Sequence, residues 1–524
     1  MRNKSAISKF KRLHAHLKSL LDIHPAKAIE EARALPVNAT VAGVAVTGLR
    51  AGILIDAGAC VKNKAAIEEG IGLLRQLLQA HPKQADLLYN LANGITALAE
   101  QEPRNGTKWF LATAPVRREA RACFETAISS DRKSHIAPLA LTNIGNAFNS
   151  AYRWVEAYDC YIRALRADPT NAIASTGAAK ILLRCIDRGI GTKATLLSAA
   201  ARHLHSAKQN PQRIVELAGE RAYRELAPLL QRPIHQGSQP DQSRGSDYEK
   251  FVAANRLALS PTIEGIHCSL KRWDSLRIRS ITEPAQTEFG VPPVLAMFNV
   301  MKSDYLAARY LGYQALAEKL SDSGLYSDTL DYALYGMVPS MLCLAQRACI
   351  DVLDKIAVAT TEYFGITGNE AIYFTNRWFA VPKKGQPLSW HPALSRHIDG
   401  GNAALIALAE LSLDVKDGGA LYKKKAYRHA STHRFTILHD EGCSPSRESI
   451  HVEHCAQREF ETHLIESLQL ARAALLYFVE MIAINEARNR KGSDKVAPLQ
   501  VPYHHIIRGE DVDAFRSPRR RTKR

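Results

Sequence analysis

The sequence predicts an all-α protein, built as a helical-repeat array followed by a helical bundle. Three observations carry this expectation. Apolar residues recur at helical spacing through most of the chain, a two-helix pattern returns at a fixed period in the first half, and a stretch poor in apolar residues separates the halves. The chain has 524 residues, enough for about two to four domains. With 46% hydrophobic and 23% charged residues it reads as a folded chain, which excludes disordered and collagen-like classes. The apolar runs are broken by charge or proline, so no segment is expected to span a bilayer. The opening Met-Arg-Asn-Lys-Ser leads into no apolar stretch of secretory type, and a cytoplasmic protein is expected. Nine scattered cysteines without a C-x-x-C pair agree with a reducing compartment.

The repeats are taken first. From Pro138, one segment carries Leu141, Ile144, Gly145 and Phe148, and the next carries Ala157, Tyr161 and Ala164 before Pro169. Small residues fall where two helices would touch, large ones in the hole beside them, and proline ends the second helix. Ala51 to Pro82 repeats the arrangement with Leu54, Ala57, Gly58 and Val61, then Gly70, Leu74 and Leu77. A third copy has Leu88, Leu91, Ala92 and Ile95, then Ala120, Phe124 and Ala127, with an insertion from Gln101 to Pro115 expected on a surface loop. Three copies at about 34 residues resemble a tetratricopeptide array.

The expected boundaries are a basic helical segment over 1–44, the repeat domain over 45–230, a flexible linker over 231–247, a helical domain over 248–509 and a basic disordered tail over 510–524. In the helical domain, Leu342, Ala345, Cys349, Val352, Ile356 and Val358 form one apolar stripe after Pro339. Phe460, Leu464, Leu468, Ala471, Leu475, Val479 and Ile482 form another. A short apolar helix, Ala403 to Leu413, and a basic helix from near Tyr422 to Leu438 are expected between them, with some extended backbone around 372–382.

The chemistry follows from charge. Lys and Arg number 69 against 52 Asp and Glu, a formal excess of +17, and the common polyanion inside a cell is nucleic acid. P-loop, dinucleotide, zincin and nucleophile-elbow motifs are absent from the sequence. One segment is dense in base: Lys416, Lys423, Lys424, Lys425, Arg428 and Arg434 against the single acid Asp417. Within it, His429 and His433 are four apart and would share a helical face, with Arg428 one step around. A guanidinium fork suits a phosphate, and imidazole is poised to move a proton near neutral pH. Such a set is equipped for phosphodiester cleavage; a solvated basic helix with incidental histidines is the plainer alternative.

Arg428-x4-His433 resembles the R-x4-6-H signature of the HEPN superfamily of helical ribonuclease domains. The likeness extends with gaps over Tyr248 to Arg490. It takes in Phe298-Asn299-x-x-Lys302-x-x-Tyr305-x-x-Ala308-Arg309-Tyr310, Asp354-Lys355-Ile356-Ala357 and Tyr373-Phe374-x-x-Arg377-Trp378. It points to a prokaryotic branch in which a HEPN domain follows tetratricopeptide repeats. One departure is His429, where the family commonly has Asn after the motif arginine. The resemblance implies a metal-independent endoribonuclease without cofactor, acting as a toxin or phage-defence effector controlled through its repeats. Arg428, His433 and His429 would be catalytic, with Lys423, Lys424, Lys425 and Arg434 binding RNA. It further implies a homodimer, expected through the helices Pro339–Phe364 and Phe460–Ala487, with a protein or trigger ligand on the repeats and no membrane partner. A non-catalytic adaptor that binds RNA or protein is the alternative.

Two other groups were weighed. His439, Cys443, His451, His454 and Cys455 offer metal-ligand chemistry at a spacing that fits no common zinc module, so no metal is assigned. Asp354 and Lys355 fall within an apolar stripe and are expected to be buried as a structural ion pair.

Overall fold

The structure, a computed structural model, describes all residues except 1, 38–42, 104–105, 133, 192, 233–244, 263–273, 285–289, 318–319, 321, 369–370, 382–385, 417–418, 420, 422–434, 441–448, 492–495 and 500–524. The expected all-α class is what is observed, with five short strands added.

Helices α1 (Arg2–Ile23) and α2 (Pro25–Arg33) precede a series of hairpins. These are α3 (Val44–Val61) with α4 (Lys64–Ala80), α5 (Ala85–Gln101) with α6 (Lys108–Ser130), α7 (Ile136–Ser150) with α8 (Trp154–Ala167), and α9 (Ala172–Asp187) with α10 (Lys193–Gln209). Helix α11 (Pro211–Leu230) follows and is broken at Gly219, whose φ of 82° is outside the helical region. Glycines set the close approaches. A Cβ at position 70 would lie 2.7 Å from the Ala51 carbonyl oxygen, so only glycine lets α4 come so near α3. The Tyr161 ring is held between Gly145 and Gly177, where Cβ atoms would sit 2.6 and 2.7 Å from it. The N-terminal helices share the array's core, with Leu17, Ile29 and Ala32 packed among Ile53, Leu54 and Ala57.

The insertion from Gln101 to Pro115 is not a surface loop. From Lys108 it is helix, two turns added to the front of α6, with Trp109 and Phe110 buried. Two large aromatics in sequence favour a buried helix over a solvated loop, and Pro115 is accommodated inside it.

The remaining elements are α12 (Asp247–Ala254), β1 (Ile281–Pro284), α13 (Pro293–Leu316), β2 (Ala333–Leu334), α14 (Met337–Tyr363), α15 (Pro392–Asp399), α16 (Ala403–Val415), β3 (Phe435–His439), β4 (Val452–Ala456), α17 (Gln457–Lys491) and β5 (Val496–Leu499). Strand β1 pairs antiparallel with β5. In a second sheet β3 pairs parallel with β4 and antiparallel with β2. The basic helix expected to reach Leu438 is therefore overturned at its end. Phe435, Ile437 and Leu438 belong to a strand, as an alternating apolar run of β-favouring residues can when neighbouring strands accept its backbone. Near 372–382, Phe374–Trp378 is a turn and Phe379 forms an isolated bridge with Trp390.

Helix α17 is the axis of this half. Leu464, Leu468, Ala471, Leu475 and Tyr477 are fully buried, and the helix packs on α13, α14 and α16 and reaches α8 of the array. One core runs without a break from Trp109 to Ile482. Two helices, Val44–Val61 and the Gln457–Arg490 stretch of α17, are long and apolar enough to cross a membrane, contrary to the expectation that none would be. The second is mostly buried in this protein, as a core helix is, and the first is half buried.

Burial also corrects three residue expectations. Val358 faces solvent rather than continuing the α14 stripe. Lys355 is exposed and bonds Asp304, while Asp354 is only half-buried and accepts the backbone N–H of Phe374 at 2.9 Å. The stripe covers less of α14 than its period implied.

Candidate functional site

The site residues expected from sequence, Arg428, His429, His433, Lys423, Lys424, Lys425 and Arg434, lie outside the described residues. The structure does describe the two elements that hold the ends of this segment.

Upstream is α16, buried along its whole length. Its asparagine start and alternating Ala and Leu give a slim apolar helix that fits between others. Two acids at i, i+4 spoil that apolar character, and both are paired. Glu410 bonds Arg117, and Asp414 bonds Arg121 at 2.7 Å and Arg153 as well. Arg117 and Arg121 are themselves one turn apart on α6, so two arginines and two acids register across the helix pair. Arg153 also bonds Glu156 at 2.8 Å, whose other oxygen accepts the Tyr477 hydroxyl. Burial alone would raise the Asp414 carboxyl, but Arg121 and Arg153 outweigh it and hold the carboxyl below its ordinary range. Burial pushes the Arg117 guanidinium down despite Glu410. After α16 the chain turns back, and Leu421 N–H donates to the Asp414 carbonyl at 2.7 Å. Gly419 sits so close that a Cβ there would be 2.2 Å from that same oxygen.

Downstream, Phe435 opens β3 and its N–H donates to the His451 carbonyl at 2.9 Å. The strand ends at buried His439, whose Nδ1 faces the Asp331 carbonyl at 3.0 Å and whose Nε2 meets His454 Nδ1 at 2.7 Å. Of the possible metal-ligand group, Cys443 lies outside the described residues, and no three metal-binding side chains gather among the described residues. The basic segment is thus strung between a buried helix locked by arginines and a central strand. That arrangement can present several cations while fixing the backbone on either side of them.

The other residues that carried the resemblance are structural. Arg309 grips Asp274 with both guanidinium nitrogens, at 2.9 and 2.7 Å, and reaches the Leu257 carbonyl at 2.9 Å. Tyr305 donates to that carbonyl at 2.7 Å, and Lys302 donates to the Asp274 and Leu276 carbonyls at 2.6 and 2.9 Å. Together they staple the segment after α12 onto α13. Trp378 donates to the Phe374 carbonyl at 2.6 Å within its own turn.

Sequence reading missed the charges that join the two halves. Trp154 Nε1 donates to Glu480 at 2.5 Å, and Arg188 bonds the same carboxylate. Arg472 bonds Asp159 at 3.2 Å and donates to the Ala258 and Ser260 carbonyls. The matching i, i+4 spacing of Arg117/Arg121 and Glu410/Asp414 was the one visible sign of a pairing.

Residues 285–485 match the model of a family described as LA2681-like HEPN. The matched range runs from before α13 into α17 and includes the whole basic segment. It supports a HEPN domain in this part of the chain, a kind of domain that is often a ribonuclease. No curated protein matches the chain.

Proposed function

We propose that the protein is a metal-independent endoribonuclease whose site is the segment holding Arg428 and His433. The observation that carries this reading is the family match over 285–485, since Arg428-x4-His433 falls within it and between two anchored elements. RNA supplies its own nucleophile in the 2′-hydroxyl, so no activated water is required. His433 takes the 2′-proton or protonates the 5′-leaving oxygen, and His429 or a second copy's His433 serves the complementary step. Arg428 holds the scissile phosphate and stabilises charge on its non-bridging oxygens. Lys423, Lys424, Lys425 and Arg434 bind the RNA backbone and set the salt dependence.

In the same reading the protein is a cytoplasmic toxin or phage-defence effector. The array, read as tetratricopeptide repeats, takes a regulator or trigger, and the 231–247 stretch joins the two domains. A homodimer completes the site. The expected contact runs along α14 and α17, and the residues α17 exposes within it include Thr462 and Glu466. On α14, exposed Leu344 and Val358 fall within that expected contact.

The test is purified protein incubated with total RNA in EDTA. The expected products end in a 2′,3′-cyclic phosphate and a 5′-hydroxyl, DNA stays intact, and His433→Ala slows cleavage about a hundredfold or more while RNA binding changes little. Cleavage that persists unchanged in His433→Ala, or that requires added divalent metal, overturns the assignment and leaves the adaptor reading.

A further inference from the structure

Four elements meet at His397 on the last turn of α15. Its Nδ1 lies 3.0 Å from Asn485 Oδ1 on α17. The Asn485 amide donates to the Tyr363 hydroxyl of α14 at 3.0 Å, and that hydroxyl donates to Glu486 at 2.6 Å. The second Glu486 oxygen accepts the Thr282 N–H of β1 at 2.5 Å. The direction of this chain is fixed at its buried end. Glu486 accepts from the Thr282 N–H and from Tyr363, so the Tyr363 oxygen accepts from the Asn485 amide, which turns the Asn485 oxygen to His397. Burial, and Glu486 beside it, push the Tyr363 hydroxyl far up, so it keeps its proton. His397 therefore carries hydrogen on Nδ1 and a lone pair on Nε2.

One arginine meets that lone pair and a second lies on the backbone beside it. Arg396 Nε–H donates to it at 3.1 Å, and Arg488 lies over the turn that follows, donating to the His397 carbonyl at 3.4 Å. A Cβ on Gly400 would be 2.2 Å from the Arg488 guanidinium, so the turn is kept bare for it. Both arginines are exposed, and neither has an ion pair with a carboxylate among the described residues. Partial burial, and then the two neighbouring cations, keep His397 below the ordinary imidazole range, so it is neutral at pH 7.

Two exposed guanidinium forks suit a phosphate, which has oxygens for both. A neutral imidazole with its acceptor outward suits a hydroxyl. A ribonucleotide presents both groups on adjacent carbons. We propose that Arg396, His397 and Arg488 form a ribonucleotide site separate from the Arg428–His433 segment, with the phosphate between the arginines and the ribose 2′-hydroxyl donating to His397 Nε2. The incoming phosphate draws Arg396 away from Nε2 and frees the lone pair for the hydroxyl. Tyr363, Asn485 and Glu486 are positioning residues that hold the imidazole in the required tautomer.

The experiment uses the full chain carrying Arg428→Ala and His433→Ala, which removes the proposed nuclease chemistry; ligand held by the remaining cations of the basic segment is the binding that survives Arg396→Gln with Arg488→Gln. Adenosine 3′-monophosphate, its 2′-deoxy analogue and inorganic phosphate are titrated calorimetrically. The ribonucleotide is expected to bind about five- to tenfold tighter than the deoxy form, the worth of one hydrogen bond. Arg396→Gln with Arg488→Gln should weaken all three by about tenfold or more. His397→Ala should keep phosphate affinity while erasing the ribo-to-deoxy difference, and ¹⁵N-histidine spectra should show His397 as the Nδ1–H tautomer with Nε2 shifting on titration. Both arginines are at the surface, so their variants should retain the parent's circular dichroism. Equal affinity for ribo and deoxy forms, unchanged binding in the double arginine variant, or no binding at millimolar ligand overturns the proposal.

Discussion

Asp414 is a sharp place to test how the two halves are held together. It is buried on α16 between Arg121 and Arg153, and both guanidiniums come from the repeat array. Asp414→Asn keeps the shape but removes the charge, leaving two buried cations with one acceptor fewer. Breaking a buried pair from one side costs about 3–5 kcal/mol, and with two partners stranded the upper end is expected. Denaturant titration followed by tryptophan fluorescence, to which buried Trp154 at the same junction contributes, reads this as a lower midpoint. The pH dependence has a definite sign. The folded carboxyl is held below its unfolded value of about 3.9, so its stabilisation is present above that value and lost as pH falls through and below it. The gap between parent and variant should thus be full at pH 7 and close below about pH 4. The exposed pair Lys355–Asp304 is the control, and Lys355→Met should cost less than about 1 kcal/mol. If Asp414→Asn costs no more than that control, the junction is not held by these charges.

Other outcomes follow from packing. Gly145→Ala drives a methyl into the Tyr161 ring and should cost about 1–3 kcal/mol by thermal unfolding, and Tyr161→Leu in the same chain should recover part of it. Trp109→Ala should cost about 3–5 kcal/mol, whereas a residue on a surface loop would cost almost nothing, so the measurement decides between the observed helix and the loop expected from sequence. Protease cleavage confined to 231–247 should leave two fragments that still co-elute by size exclusion, because the shared core and the ion pairs bind them; fragments that separate in mild buffer would contradict this.

The repeat positions were legible because each is a local pattern. Gly70 and Gly145 mark helix crossings, and Leu74 and Phe124 fill the holes beside them, all within one helix pair. The α17 stripe was legible for the same reason. What failed was whatever depended on a distant neighbour. Trp109 and Phe110 read as part of a loop because what fixes them, the Ala99 carbonyl and the Tyr152 ring, belongs to neighbouring segments. Lys355 read as buried because its neighbours along the stripe are apolar, yet it is exposed and bonds Asp304 of α13. Phe435 to Leu438 became a strand only because β2 and β4 are there to pair with it. The Arg428–His433 motif was visible as letters, while the Arg396–His397–Arg488 group was not, since its third member and its whole relay come from other helices.

The pairing of Asp414 with Arg121 also spans 293 residues of sequence. During synthesis the array is complete long before α16 leaves the ribosome. Arg117 and Arg121 then wait without Glu410 and Asp414, Arg153 has only Glu156, and Trp154 stays without Glu480. Such a half-made protein is a natural client for a chaperone and prone to stick to its own kind. A chain that stopped short of α16 would carry the array without Glu410 and Asp414, the acids that complete it.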